Sequence, residues 1–200
     1  MDRAVTYAIN GIFGVMGEVC SAGSRLLVDK RIAAEFTARF IERGQKAYVA
    51  GDPLDPETNM GPLVTKKQHE RVLGYIAKGR EEGAKLEFGG DVPDRPGFYV
   101  NPALFTHVDN GMTIAQEEIF GPVATLVEVD GLDDALRVAN DTVYGLQASV
   151  WTRDLRSAHH AVRELEAGTL YVNCWEHGDA TMPFLGYKQS GQGGDKCLEG

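Results

Sequence analysis

Cysteine is scarce. Cys20, Cys174 and Cys197 are the only three in 200 residues. They are odd in number and widely spaced, which fits neither a disulfide framework nor a zinc site. Free thiols point to a reducing cytoplasm as the expected home. Positive charge is also short: 20 Lys and Arg stand against 29 Asp and Glu, a net charge of −9. Without clustered cations there is nothing to grip a phosphate backbone, so no nucleic-acid partner is expected. No apolar run approaches the roughly 20 residues of a membrane span, so no membrane partner is expected either. Met1-Asp2-Arg3-Ala4 shows no apolar signal core. His159 and His160 are adjacent, so their rings leave a helix on different faces and cannot share a metal as an i, i+4 pair would, and no metal site is expected. Gly89-Gly90 and Gly191, Gly193 and Gly194 read as turn residues, and none forms a dinucleotide fingerprint after a strand.

What is present suits one domain with a sizeable core. Val5, Ala8, Ile9 and Ile12 recur at helical spacing behind Asp2, which reads as an N-cap, and predict a helix over Asp2–Phe13. Gly14 and Gly17 end it and deliver Cys20. Leu26-Leu27-Val28 predicts a strand, Ile32 to Tyr48 a helix, and Thr65 to Glu82 another, with Val72, Leu73 and Ile76 as its apolar stripe. Short glycine-punctuated runs follow over Lys85–Phe88 and Phe98–Val108. From Val123 strand and helix alternate: strands over Val123–Val129, Leu146–Trp151 and Thr169–Val172, helices over Leu132–Ala139 and Leu155–Leu165. This alternation predicts an α/β fold, an open, largely parallel sheet with helices on both faces. Trp175 to Gly200 reads as a long ordered loop.

The stretch Gly17-Glu18-Val19-Cys20-Ser21-Ala22-Gly23-Ser24-Arg25 places one thiol among small residues, between a helix and a short strand. A carbonyl compound can approach such a thiol closely, and backbone N–H groups around it can face an oxyanion. On spacing alone a small buried hydrophobe is the commoner reading of a lone cysteine, because no neighbouring His or Asp announces a base. Glu117-Glu118-Ile119-Phe120-Gly121-Pro122 reads on its own as two solvated carboxylates before a turn.

Taken together, three stretches are far more specific. The Cys20 segment closely resembles the active-site cysteine segment of the NAD(P)-dependent aldehyde dehydrogenase superfamily. Glu117 to Val123 is similar to that family's cofactor-contact motif, and Pro183-Phe184-Leu185-Gly186-Tyr187-Lys188-Gln189-Ser190-Gly191 to its late loop. The resemblance implies a catalytic-domain fold of the aldehyde dehydrogenase type, with NAD or NADP as cofactor. It implies Cys20 as nucleophile, passing through a thiohemiacetal and a thioester. It implies that Glu118 accepts hydrogen bonds from the nicotinamide ribose hydroxyls, which suits a group with two acceptor oxygens, and that Phe120 packs beside the nicotinamide. Asn173 matches a position that shapes the substrate-tunnel loop. The loop from Trp175 to Phe184 resembles the branch that oxidises amino aldehydes. Glu176 and Asp179 would offer carboxylates to an ammonium, Trp175 an aromatic face, and Phe184 tunnel lining; the residues alone fit equally a loop whose two acids are solvated on its outer side.

The departures are local. The family usually has Asn where Val15 stands, Gly at Leu185 and Arg at Gly194. By the same resemblance, the dinucleotide-binding domain, the glutamate base, the oxyanion-hole asparagine and the C-terminal oligomerisation strand are expected to lie outside this sequence. That reads as a truncated catalytic domain over 1–200, inactive alone, from a homo-dimeric or homo-tetrameric parent acting on a small-molecule aldehyde. Two other functions are compatible with the residues: a cofactor-independent cysteine esterase, and a non-catalytic truncated subunit that pairs with a full-length relative.

Overall fold

In the computed structural model, which describes residues 1–196 and residue 198, the chain divides into two compact units, Met1–Glu128 and Val129–Gly200. The first begins with α1 (Asp2–Phe13), whose Val5, Ile9, Ile12 and Phe13 are all buried, as their helical spacing predicts. Met1, not Asp2, stands at the N-cap. Asp2 is instead drawn into ion pairs with Arg39, at 2.6 Å, and Arg43. Both arginines belong to α2 (Ala33–Ala47), which follows β1 (Arg25–Asp29). Phe36 and Phe40 of α2 are buried against α1, with Phe13 and Phe40 edge to face at 5.8 Å.

The remaining elements of this unit are α3 (Lys66–Glu81), β2 (Lys85–Phe88), β3 (Ala103–Thr106), α4 (Thr113–Gln116) and β4 (Val123–Val129). Thr65 caps α3, its hydroxyl accepting from the Gln68 N–H at 3.1 Å. The sheet runs β1-β4-β3-β2, with β3 and β4 parallel and β2 antiparallel to β3. β3 is buried throughout and β4 everywhere but Glu128, the continuous apolar reading of strands covered on both sides. Leu104, Ala124 and Leu126 pack with α1 and α2. The alternate residues Ala103 and Phe105 turn the other way, where Ile76 and Gly79 of α3 lie. Helices therefore cover both faces, and the fold class is α/β as the alternation predicts.

The second unit holds α5 (Gly131–Asn140), β5 (Tyr144–Gly145), β6 (Gln147–Val150), α6 (Leu155–Glu164) and β7 (Thr169–Val172). β6 and β7 pair in parallel, with α6 as the connecting helix. Asp154 caps α6 by accepting from the Ser157 N–H at 2.9 Å. The stretch expected as one long loop contains three two-residue strands, β8 (Phe184–Leu185), β9 (Tyr187–Lys188) and β10 (Gly194–Asp195). β8 pairs with β10 and β9 with β5, both antiparallel. Such short pairings carry no periodicity, which is why the sequence reads as loop there. Among the described residues, no helix is long and apolar enough to cross a membrane.

Candidate active site: a thiol turn against a carboxylate segment

Between α1 and Cys20 the backbone turns left-handed at three successive residues, Val15 (φ 50°), Met16 (φ 56°) and Gly17 (φ 69°). Glycine accepts this readily; a β-branched valine does not. The turn folds the following loop back along α1, with the Gly23 N–H on the Gly11 carbonyl at 2.9 Å. Ser24 is then fixed to β4, its carbonyl accepting from the Thr125 N–H at 2.8 Å and hydroxyl at 3.1 Å. Cys20 is exposed with a free thiol, while its neighbour Ser21 is buried. Two residues earlier, the Glu18 carboxylate accepts from the Val64 N–H at 3.2 and 3.3 Å. Burial pushes the Glu18 carboxyl up from its ordinary range, and the Val64 bond opposes that shift.

Gly17 does more than turn. A methyl group there would lie 2.2 Å from the Gly121 carbonyl oxygen, so the thiol turn rests backbone to backbone on the segment after Phe120. Two motifs about a hundred residues apart in sequence are thereby joined. Within the second, Ile119 is buried, Phe120 is half-buried with φ 59°, and Glu118 is exposed. Helix α3 supports it. The Gln68 amide donates to the Ile119 and Phe120 carbonyls at 3.0 and 2.6 Å, and Arg71 to the Glu118 carbonyl at 2.6 Å. The Tyr75 hydroxyl donates to the Glu117 carboxylate at 2.7 Å. That leaves an exposed carboxylate at Glu118 two residues before a half-buried aromatic ring at Phe120, an acceptor and a flat apolar face suited to vicinal hydroxyls and a planar ring.

The other predicted site residues belong to the second unit. Asn173, in the left-handed region at φ 56°, spends both ends of its amide on Thr152, accepting from its N–H at 3.0 Å and donating to its carbonyl at 2.8 Å. Both ends of its amide are thus turned to Thr152. Trp175 is half-buried and Glu176 exposed. Asp179 closes a turn, one carboxylate oxygen accepting from the Thr181 N–H at 2.8 Å and hydroxyl at 2.7 Å. Those bonds hold its carboxyl below the usual range. Phe184 lies under the Lys196 ammonium, 5.3 Å from the ring centre. Lys188 donates to the Asn140 carbonyl and pairs with Glu166, each at 2.6 Å. Ser190 accepts from the Gly145 N–H at 2.8 Å. The polar residues of the late motif thus anchor the loop after α5. Cys174 is half-buried and its carbonyl accepts from the Ser149 hydroxyl; Cys197 lies outside the described residues. His160 sits 3.6 Å from Asp133 and 3.9 Å from Glu164.

Sequence reading missed Gln68, Arg71 and Tyr75. They look like solvated helix positions, and no local signal announces partners some fifty residues ahead. It also missed the tie between Glu18 and Val64.

The aldehyde dehydrogenase family model matches residues 1–200. Betaine aldehyde dehydrogenase of Mesorhizobium japonicum is 46% identical over 99% of this chain and 41% of its own length. The crystal structure of gamma-glutamyl-gamma-aminobutyraldehyde dehydrogenase from Burkholderia cenocepacia superposes with a TM-score of 0.94 at 50% identity, over 99% of this chain and 40% of that one. Betaine aldehyde dehydrogenase from Staphylococcus aureus, solved in complex with NAD+, gives 0.96 at 36% identity, over 100% and 40%. The chain thus spans about two fifths of the length of the relatives it matches. It belongs to the aldehyde dehydrogenase family.

Proposed function

We propose that this chain carries the nucleophile and the nicotinamide contact of an NAD(P)-dependent aldehyde oxidation. The observation that supports it is the packing of Gly17 on Gly121, which joins an exposed thiol turn to an exposed carboxylate and a half-buried aromatic ring. Cys20 sulfur, as thiolate, adds to the aldehyde carbon, and the carbonyl oxygen takes up the negative charge. Backbone N–H groups of the turn face that charge, and small side chains leave the approach open. Glu118 and Phe120 hold the cofactor's ribose and nicotinamide; when bound, the oxidised nicotinamide supplies the hydride acceptor. The acyl group left on Cys20 is released by water as the carboxylic acid, and the thiol is regenerated.

The substrate is an ω-amino aldehyde. One Asp179 oxygen is taken by Thr181 and the other is free among the described residues, on a carboxyl held below the usual range and so ionised at neutral pH. With Glu176 and Trp175 it meets a substrate ammonium on the loop that the family resemblance assigns to the aldehyde path. The complete enzyme works as a homo-dimer or homo-tetramer in the cytoplasm, where its thiol stays reduced.

The thiol is tested by brief labelling with limiting iodoacetamide and peptide mapping. Cys20 labels faster than Cys174 and Cys197; equal labelling of all three counts against a preformed site. In the full-length protein that carries this chain, Cys20→Ser removes NAD(P)H formation from aldehyde, and retained turnover refutes the assignment. Asp179→Asn lowers kcat/KM for amino aldehydes by about tenfold to a hundredfold and leaves neutral aldehydes little changed. Equal loss on both substrate classes removes Asp179 from substrate reading.

A further inference from the structure

The thiol turn is held at both ends. Gly17 lies on the Gly121 carbonyl, the Gly23 N–H bonds the Gly11 carbonyl at 2.9 Å, and Ser24 is fixed to Thr125. Between those ends, the Glu18 N–H returns to the Val15 carbonyl and the Ala22 N–H to the Val19 carbonyl, each at 3.0 Å. Both of these bonds are local, so neither ties Cys20 to the body of the fold.

Glu18 reaches further. Both oxygens of its half-buried side chain accept from the Val64 N–H, 46 residues along the chain, at 3.2 and 3.3 Å. Among the described residues, neither this carboxylate nor this N–H has another hydrogen-bond partner. Val64 is a firm anchor. It follows the buried Leu63, whose N–H bonds the Phe98 carbonyl at 2.9 Å, and precedes Thr65, the N-cap of α3. The same loop meets the turn again at Gly61, where an added methyl group would lie 4.0 Å from the Met16 sulfur. A charged acceptor makes the stronger kind of hydrogen bond, and this one stands two residues from the reacting sulfur. Misplacing a reacting group by about 1 Å costs on the order of a hundredfold in rate.

We infer that Glu18 is a positioning residue for the nucleophile: through the Val64 N–H it fixes the middle of the thiol turn, and so the line along which the Cys20 sulfur meets the aldehyde. This deepens the proposed role of Cys20 and rests on it. Glu18 needs no contact with the aldehyde, because it acts through the backbone that carries Cys20.

The test uses the full-length protein that carries this chain, in single-turnover measurements of NAD(P)H formation from aldehyde. The rate constant reads the geometry of the thiol, and the amplitude reads the fraction of molecules that are folded and competent. Glu18→Ala, and Glu18→Met, which keeps most of the bulk, each lower the rate constant by about tenfold. Glu18→Gln, whose amide oxygen still accepts from Val64, stays within about twofold, and the KM for NAD(P) moves less than about twofold in all three. Hydrogen exchange of the peptide holding residues 60–65 speeds up in Glu18→Ala and not in Glu18→Gln. A purely structural role would lower the amplitude and leave the rate constant alone, which overturns the inference. So does a Glu18→Gln loss as deep as that of Glu18→Ala, since the carboxylate would then be acting as a proton acceptor. Unchanged exchange at 60–65 in Glu18→Ala overturns it as well. An unaltered protein without NAD(P)-dependent turnover overturns the function and this inference with it. Turnover that survives Cys20→Ser overturns the role of Cys20 and shows which premise failed.

Discussion

Val15 is the most informative single position for stability, because its backbone and its side chain disagree. At φ 50° and ψ 36° it lies in the left-handed region, which costs an L-residue roughly 1–2 kcal/mol and a β-branched one the upper part of that range. Its side chain is 63% exposed, so little is lost by replacing it. Full burial of a valine stabilises by about 1.5–3 kcal/mol, and the covered third by about 0.5–1 kcal/mol. Asparagine tolerates the left-handed region far better, so Val15→Asn recovers most of the strain and forfeits the smaller burial. The net gain is about 0.5–1 kcal/mol, or a rise in Tm of roughly 2–3 °C for a chain this long. Val15→Gly relieves the same strain but loosens the unfolded chain, and comes out near neutral. Val15→Ile keeps the branching and gains nothing. Thermal and urea unfolding of the four proteins side by side decide the matter. If Val15→Asn is no more stable than Val15→Ile, backbone strain is not what limits this turn.

Other expectations follow from single contacts. Gly17→Ala forces a side chain onto the Gly121 carbonyl at a left-handed φ; it destabilises by about 3 kcal/mol or more, and unchanged urea unfolding would disprove the close approach. The Glu18 carboxyl is raised above its ordinary range by burial, so the folded protein binds this proton more tightly than the unfolded chain. Stability from this group is greatest below the unfolded pKa and falls as pH rises through the folded one; Glu18→Gln flattens that fall, and parallel urea-midpoint profiles for the two proteins would refute it. Thr65→Ala removes the cap of α3 and costs about 1 kcal/mol in urea unfolding; a cost near zero would show the cap to be dispensable. Calorimetric titration of this chain alone with NAD shows no binding below roughly millimolar concentration, since Glu118 and Phe120 meet only one end of a large ligand; a micromolar Kd would contradict that.

Much of the fold was legible because its signals are local and repeated. The buried stripes of α1, α2 and α3 follow from periodicity and β4 and β7 from short, mostly apolar runs, and the predicted helices fall within one or two residues of the observed ones. The misses have a common cause. The four residues of α4 and the two-residue strands β5, β8, β9 and β10 are too short to show a period. They exist because a distant partner supplies their hydrogen bonds, as Ser190 does for the Gly145 N–H of β5. Asp2 was misplaced as a cap for a similar reason: two arginines on α2, far along the chain, compete for its carboxylate.

The site was legible in its chemistry and not in its support. A thiol among small residues and a carboxylate before an aromatic can be read one by one; that Gly17 rests on Gly121 cannot, because neither glycine differs locally from a turn glycine. The support lies in the backbone. Val15, Met16, Gly17 and Phe120 are all left-handed, and all lie beside that one contact. Three of the four are residues that avoid this conformation, so local preference opposes the structure here and tertiary packing overrides it. The arrangement has a chemical use. In the proposed reaction, a nucleophile positioned by packed glycines and main-chain bonds needs no bulky side chains around it, so an aldehyde can reach the sulfur while the turn stays fixed. The same holds for Glu118, whose carbonyl is held by Arg71 and whose carboxylate is unengaged among the described residues. Both motifs are thus held through the main chain and leave their side chains exposed, and a residue such as Gln68 supports the second one without looking like part of it.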